Sequence, residues 1–231
     1  MITIKNYRLE PTTAANGRTG TLSTEWLREA VNKLMRDKRD ALEEAGADTS
    51  LFYNHDTASG RTRVEYPLII YHSIDGMFYL TGINKGAFAL EKLAELTTGD
   101  ALFKSFRKEK AGGEFGIGIT SQSRSYSLIE WRPIHHKSRE AFMQLSMTEK
   151  VIELNNRLGK HITNELGKYL NIGMEGLKLE IDDITRVYEP VSYKKHKYPA
   201  FDIRFTANLS LPPMITLGNH QALGYGRVVP Q

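Results

Sequence analysis

The sequence contains no cysteine and no long apolar run, and both absences narrow the classes of protein it can be. Without cysteine there is no disulfide scaffold, thiolate metal site or cysteine nucleophile, which agrees with a reducing compartment. No stretch approaches the roughly 18 apolar residues of a membrane-spanning helix. The start, MITIKNYRLEP, also lacks the apolar core of a signal peptide. We therefore expect a cytoplasmic protein with no membrane partner.

The charge of the chain is mildly basic, and its distribution is more informative than its sum. Of the 231 residues 40% are apolar and 25% charged, which is typical of a folded chain with one large or two small domains. A net charge of +4 permits nucleic-acid binding without requiring it. Between residues 186 and 204, aromatic residues alternate with Arg186, Lys194, Lys195, Lys197 and Arg204. This mixture suits RNA backbone contacts with base stacking, but an ordinary solvated hairpin explains it equally well.

The first half of the sequence predicts the order strand, helix, hairpin, helix, strand. Residues 2–11 alternate apolar and polar side chains, as a strand does, and the next segment has helical spacing with Ser23 as N-cap and Gly46 as the end. Asp75-Gly76 joins two apolar runs, which is the signal of a tight hairpin. The remaining predictions are a helix at 85–97 and strands within 101–110 and 115–119.

The second half predicts a similar order, so the fold class expected is α+β with tandem ferredoxin-like domains. RSYSLIEWRPI predicts a strand, residues 139–172 one or two helices, and 175–191 and 198–211 two alternating strands. A glycine-rich break, EKAGGEFGIG, separates the halves, and we set the domains at 1–122 and 123–231. The βαββαβ unit is also the RNA-binding platform of RRM domains, although a fold alone assigns no function.

A glycine-rich loop, ITLGNHQALGYGRVVPQ, closes the sequence, and its spacing excludes two common phosphate loops. A dinucleotide fingerprint needs G-x-G-x-x-G before a helix, and a P-loop needs G-x4-G-K-[ST]. Only five residues follow Gly226, so no helix follows. The loop is either a nest of backbone N–H groups that approaches a polyanion or a tight connection whose glycines adopt positive φ.

Four segments in the same order resemble the CRISPR-associated repeat-processing endoribonucleases of the RAMP superfamily, most closely the type I-B subfamily. The segment nearest the C-terminus is AFDIRFTANLSLPPMITLGNHQALGYGRVVP, where a strand leads through a Leu-Pro pair into a glycine loop. The others are RVEYPLIIYHSIDGMFYLTGINKGAFAL, LFYNHD and WRPIHHKSREAFMQLSMTEKVIELNNRLGKHI. These segments lie between residues 51 and 230, and the match as a whole spans about residues 23–230.

The resemblance implies cleavage of precursor CRISPR RNA within each repeat, without a metal or other cofactor. The 2′-hydroxyl attacks the adjacent phosphate, which leaves a 2′,3′-cyclic phosphate and a free 5′-hydroxyl. Such a reaction needs a base, an acid and stabilisation of the phosphorane charge. The implied partners are CRISPR repeat RNA and other CRISPR effector subunits, and a homodimer stays open.

The catalytic candidates follow from the match to LFYNHD and to the Tyr-Pro segment. His55 matches the second histidine of the family stretch and is our first candidate for base or acid, although a polar turn residue beside Asp56 is the alternative. Tyr53 occupies the position of the first histidine, and Tyr66 matches a tyrosine that could contact phosphate. A lysine on or after the first helix often accompanies them, and either Lys33 or Lys38 could serve; the alignment does not choose between them, and Lys38 is carried forward as the candidate.

The glycine loop departs from the family pattern. Thr216 stands where a glycine is usual, and NHQAL replaces a segment that commonly carries Lys or Arg. The implied RNA contacts of the C-terminal half are Gly218, Asn219, His220, Gln221, Gly224, Gly226 and Arg227, with Lys194, Lys195 and Lys197 of the basic stretch. Because each missing cation removes a counterion-release contribution, we expect weaker and less salt-dependent RNA binding.

The remaining histidines carry weaker hypotheses. His135 and His136 resemble a metal pair, but adjacent residues of a strand point apart, so we interpret them as exposed polar residues at the domain junction. His161 is expected on a helix as a packing or surface residue. His196 belongs to the basic aromatic stretch.

Two other functions remain open beside the nuclease. One is a RAMP-type subunit that binds RNA without cleaving it, which the Tyr53 and loop departures favour. The other is a small-molecule enzyme on a ferredoxin-like scaffold, for which the sequence offers no cofactor or metal motif.

Overall fold

The computed structural model describes residues 1–11, 23–53, 65–97, 102–110, 112–193 and 196–231. These fall into two compact units, one of residues 1–115 with 222–224 and one of residues 116–221 with 225–231. No helix in the described ranges is long and apolar enough to cross a membrane. Each unit has its own antiparallel sheet.

The first unit is a ferredoxin-like α+β fold. Its elements are β1 (Ile2–Pro11), α1 (Thr24–Asp37), α2 (Arg39–Glu44), β2 (Ile69–Ile74), β3 (Met77–Ile83), α3 (Lys85–Leu96), β4 (Phe103–Lys108) and the short β5 (Gly113–Phe115). The strand order is β2-β3-β1-β4, with β5 also paired to β1. This is the order expected when two βαβ halves interleave, because β1 lies between β3 and β4.

Local sequence signals account for the ends of these elements. Ser23 caps α1, because its side chain accepts a hydrogen bond from the backbone N of Trp26 at 3.2 Å. Asp75 and Gly76 both have positive φ, as a two-residue hairpin between right-twisted strands requires. Both predictions are confirmed. The predicted first helix is instead two helices, because Lys38 leaves helical geometry at φ −113° and ψ 11°.

One apolar cluster forms the core of the first unit. Leu27, Val31 and Leu34 lie at helical spacing on α1 and are almost fully buried. They pack in the same cluster as Leu9 of β1, Phe78 and Leu80 of β3, and Leu90 and Leu93 of α3. The apolar residues that alternate along the strands therefore pack against those at helical spacing on the helices.

The second unit has the same strand order as the first, but a loop replaces its second helix. Its elements are β6 (Gly118–Trp131), α4 (Arg139–Gln144), α5 (Met147–Lys160), a π-helical segment (His161–Gly167), β7 (Leu179–Tyr193), β8 (His196–Ser210) and β9 (Arg227–Pro230). The sheet order is β7-β8-β6-β9, which again places the first strand between the third and the fourth. Between β8 and β9, where the ferredoxin-like unit has its second helix, the chain forms the glycine loop with a short 3-10 turn at Gln221–Leu223.

Candidate functional site

The structure describes three of the four catalytic candidates. Tyr53 is half-buried against the apolar core of the first unit, at the end of a 3-10 turn that follows α2. Lys38 lies at the junction of α1 and α2 with its side chain half-buried, and Tyr66 is 4% exposed. His55 lies outside the described residues. The catalytic roles of these four residues remain predictions.

The glycine loop has the backbone conformations that only glycine adopts readily. Gly218, Gly224 and Gly226 have φ of +96°, +78° and +71°. A Cβ at Gly226 would lie 1.9 Å from the carbonyl oxygen of Leu217, and one at Gly218 would lie 2.9 Å from the Trp131 ring. The glycines therefore serve the tight packing of the loop, whatever the loop binds.

A half-buried carboxylate of the π-helical segment fixes the loop. Glu165 accepts hydrogen bonds from the backbone N of Gly218 at 3.3 Å and from the side-chain amide of Gln221. Burial raises the pKa of Glu165 to about 7, against the lowering effect of these two donors. Thr216, which occupies the position of a family glycine, is fully buried, and its hydroxyl donates to the Gln221 carbonyl at 3.2 Å. The loop is thus held by side chains on both sides of Gly218.

His161 is a packing residue of the same segment, as expected. Its Nδ1 accepts a hydrogen bond from the Trp131 indole at 3.2 Å, so Nε2 carries the proton and faces Glu165 Oε1 at 3.9 Å. Burial, with Arg157 as a second cause, lowers the pKa of His161 to about 4. His161 is therefore neutral near pH 7. His161 and Glu165 are four residues apart, a spacing that places both side chains on the same face of a helix.

Arg132 brings a cation to the loop that sequence reasoning missed. Its carbonyl oxygen accepts from the backbone N of Asn219 at 3.0 Å and from the Asn219 side chain at 2.7 Å. Its guanidinium carbon lies 3.4 Å from the centre of the Tyr225 ring, and Nη1 lies 3.3 Å from His220 Nδ1. Sequence reasoning had no local signal for this contact, since Arg132 is 86 positions before Gly218. Only the packing of the loop against the end of β6 reveals Arg132.

His135 is exposed, as expected, but the interpretation of His135 and His136 as strand residues that point apart is wrong. The two residues begin a 3-10 turn after β6, and their ring centres are 4.1 Å apart. His136 is half-buried, stacks on His196 at 3.9 Å between ring centres and lies with Nδ1 3.1 Å from the Tyr198 hydroxyl. The Tyr198 ring in turn meets His220 edge-on at 4.5 Å. We call His135, His136, His196 and His220 the histidine cluster.

The basic aromatic stretch is only partly available for a ligand. Lys197 is exposed, whereas Lys194 and Lys195 lie outside the described residues. Arg204 pairs with Asp183 at 2.9 Å, and Arg186 lies over the Tyr188 ring at 4.6 Å. In the described ranges, no group of three or more His, Asp or Glu side chains could hold a metal ion.

Solved structures place this fold in a known class. A crystal structure of Cas6b aligns with 17% identity and a TM-score of 0.76, covering 100% of both chains. A CRISPR RNA processing endoribonuclease Cas6b aligns at 16% identity and TM-score 0.66, and Csf5, a type IV Cas6 crRNA endonuclease, at 12% and 0.60, each over 100% of both chains. An RAMP protein that binds different RNA substrates aligns at 11% identity and TM-score 0.53 over 99% of both chains. The fold is therefore that of tandem ferredoxin-like RAMP proteins.

Family comparison then assigns the chain within this class. The Cas6b N-terminal domain matches residues 18–104, and the Cas6b C-terminal domain matches residues 118–231. The chain belongs to the Cas6b family, which confirms the resemblance found in the sequence. None of the curated proteins matches it.

Proposed function

We propose that this chain is an endoribonuclease that cleaves precursor CRISPR RNA within its repeats. The match of both halves to the two Cas6b domains is the observation that carries this proposal. It is supported by the fold, which is shared with a protein described as a CRISPR RNA processing endoribonuclease. The tandem ferredoxin-like units and the glycine loop of the second unit agree with such an RNA-binding enzyme.

The reaction proposed is an in-line transesterification that uses no metal. The 2′-oxygen forms a bond to the adjacent phosphorus while the bond from phosphorus to the 5′-oxygen breaks. A base takes the 2′-hydroxyl proton and an acid gives a proton to the leaving 5′-oxygen. His55 is proposed for one of these roles, because histidine exchanges protons near neutral pH. Tyr53, Tyr66 and Lys38 are proposed to contact the phosphate or the leaving group, since each can donate a hydrogen bond.

The direct experiment is to incubate the purified protein with its own repeat RNA in excess EDTA. We expect cleavage at one position in the repeat. A single 2′-deoxy substitution at the nucleotide before the cut should abolish cleavage and leave binding unchanged, because only the nucleophile is removed. Cleavage that needs added magnesium, or that persists on the 2′-deoxy RNA, would contradict the mechanism.

The His55 assignment has its own test. His55→Ala should lower the single-turnover cleavage rate by about 100-fold or more, since general acid–base catalysis contributes about that much, and should leave the Kd for RNA unchanged. Lys168→Ala is the control, because Lys168 is an exposed residue that is neither a catalytic candidate nor an implied RNA contact. Cleavage by His55→Ala at the native rate would move the site elsewhere.

A second candidate function is an RNA-binding subunit without nuclease activity. Tyr53 favours it, because a tyrosine stands where the family pattern has a histidine and so removes one group that titrates near neutral pH. In this case the protein would bind repeat RNA tightly and never cut it. Restoring the histidine with Tyr53→His would then be expected to produce cleavage, whereas an active wild-type protein would exclude the second candidate.

A further inference from the structure

A buried cation without an anion lies at the end of β6. Arg132 is 1% exposed, and its Nε has no hydrogen-bond partner among the described residues. In the same ranges no carboxylate lies within ion-pair distance of its guanidinium, whose contacts are the Tyr225 ring and His220. A buried charge is normally paired, because its desolvation costs several kcal/mol. The aromatic ring offsets only part of such a cost.

A chain of side-chain contacts leads from Arg132 through His220 and Tyr198 to His136. Lys137 and His196 are exposed, and His136 is half-buried and stacks on His196. Because arginine only donates, His220 Nδ1 accepts from Arg132, and the proton of His220 is on Nε2. His220 also has a φ of +64°, a conformation in which a side chain other than glycine is uncommon. The cluster thus presents several N–H donors beside a fixed positive charge.

The charged groups that act on His136 are basic: His135 and Lys137 of its own turn and His196 of β8. Tyr198 links His136 to His220 of the loop, which in turn contacts Arg132 just after β6. Burial first, and then the charges of His135, His196 and Lys137, hold the pKa of His136 below its usual value. A bound anion would reverse this effect, so binding would take up a proton.

We propose that Arg132 and the histidine cluster form a binding site for one phosphate oxyanion in the second unit. The histidine N–H groups and Lys137 contact the phosphate oxygens, and the buried Arg132 supplies the counter-charge from beneath. The ligand is a backbone phosphate of RNA, an identification that rests on the proposed function, whereas the anion site itself does not. This site would also supply the cation contact that the NHQAL segment lacks.

The anion site is tested first with inorganic phosphate. Thermal unfolding of the wild-type protein in phosphate is compared with unfolding in chloride at equal ionic strength. We expect phosphate to raise the Tm, because a ligand that binds only the folded state stabilises it. His196→Ala and Arg132→Met should each weaken phosphate binding about tenfold, the loss of one charge-assisted contact.

Two comparisons keep this test decisive. Arg132→Met should not lower the Tm in chloride, since an unpaired buried charge is replaced by an apolar side chain. If this variant fails to fold, His196→Ala, an exposed position, carries the test alone. Lys168→Ala, which removes an exposed lysine after the π-helical segment, is the matched control and should respond to phosphate as wild type does. Equal phosphate responses in all four proteins would overturn the proposal.

The second arm uses repeat RNA with a 2′-deoxy nucleotide at the cut. His196→Ala and Arg132→Met should raise the Kd about tenfold and lower the slope of log Kd against log salt by about one. Wild-type affinity should rise as the pH falls from about 7.5 to about 5.5, because protonated histidine attracts the phosphate. Unchanged Kd and slope in both variants, with normal cleavage of unmodified RNA, would overturn the RNA site while the nuclease function stands. Variant-sensitive phosphate binding by a protein that never cuts repeat RNA would support the anion site and contradict the proposed function.

Discussion

At the scale of single residues, the glycine loop packs so tightly that backbone atoms occupy the space a side chain would need at its glycines. Gly226 has a φ of +71°, and the Leu217 carbonyl occupies the space that its Cβ would need. Because the obstacle is backbone rather than a flexible side chain, relief requires the loop itself to move. The residue identity is therefore set by packing, independently of any RNA contact.

Gly226→Ala is predicted to lower the free energy of unfolding by at least about 2 kcal/mol. Urea unfolding at neutral pH measures the change. Gly173→Ala is the control, because a Cβ at Gly173 meets nothing within 4 Å and its φ is not in the left-handed region. Its effect should stay within about 0.5 kcal/mol. Equal stability of the two variants would show that the loop relaxes freely.

Glu165 and His161 predict opposite pH dependences of stability. Glu165 has a raised pKa in the folded state, so its contribution is complete below about pH 4.5 and is lost as the pH rises to about 7. His161 has a lowered pKa, so its contribution is complete above about pH 6.5 and is lost as the pH falls to about 4. In wild type the two effects oppose each other over the same range.

Glu165→Gln should separate these effects, because the amide oxygen can still accept from Gly218 and Gln221. The unfolding free energy of the variant, minus that of wild type, should increase from about pH 4.5 to about pH 7. Urea unfolding across this range measures the difference, and the exposed Glu175→Gln shows what removing a surface carboxylate does. A difference independent of pH would mean that Glu165 titrates normally in the folded protein.

At the scale of elements, local patterns predicted most boundaries. The β1 strand, the Asp75-Gly76 hairpin and α3 follow from periodicity and turn chemistry, because these signals act within a few residues. Two features did not follow from the sequence. The π-helical segment reads as an ordinary helix, and the loop that replaces the second helix of the second unit is held by Glu165, 53 residues from Gly218. Both depend on tertiary packing.

The N-cap of α1 provides a prediction at this scale. Ser23→Ala removes the acceptor for the Trp26 amide and should cost about 1 kcal/mol of unfolding free energy. Ser138→Ala is the matched control, since Ser138 precedes α4 without a side-chain capping bond. Circular dichroism followed through urea unfolding measures both. If both variants lose the same unfolding free energy, the Trp26 amide is satisfied by water as well as by Ser23.

At the scale of the whole molecule, the sequence predicted the tandem fold and the family, but only part of the candidate site. The four motifs predicted the family because they rest on local residues, and the repeated strand order followed from element order. Arg132 and the grouping of the four histidines were missed, since three separate segments bring them together in the second unit. The pair His135-His136 is visible in the sequence, but its stacking partner His196 is 60 positions away and could not be predicted from it.

The central claim is that this protein cleaves CRISPR repeat RNA and that the attacking group is a 2′-hydroxyl of the RNA. Mass spectrometry of the products formed in EDTA tests this claim most directly, because it identifies the bond that breaks. We predict a 2′,3′-cyclic phosphate on the upstream fragment and a free 5′-hydroxyl on the downstream one. An upstream fragment with a 3′-hydroxyl and a downstream fragment with a 5′-phosphate would contradict the account. Those products form when water attacks the phosphorus and the bond to the 3′-oxygen breaks.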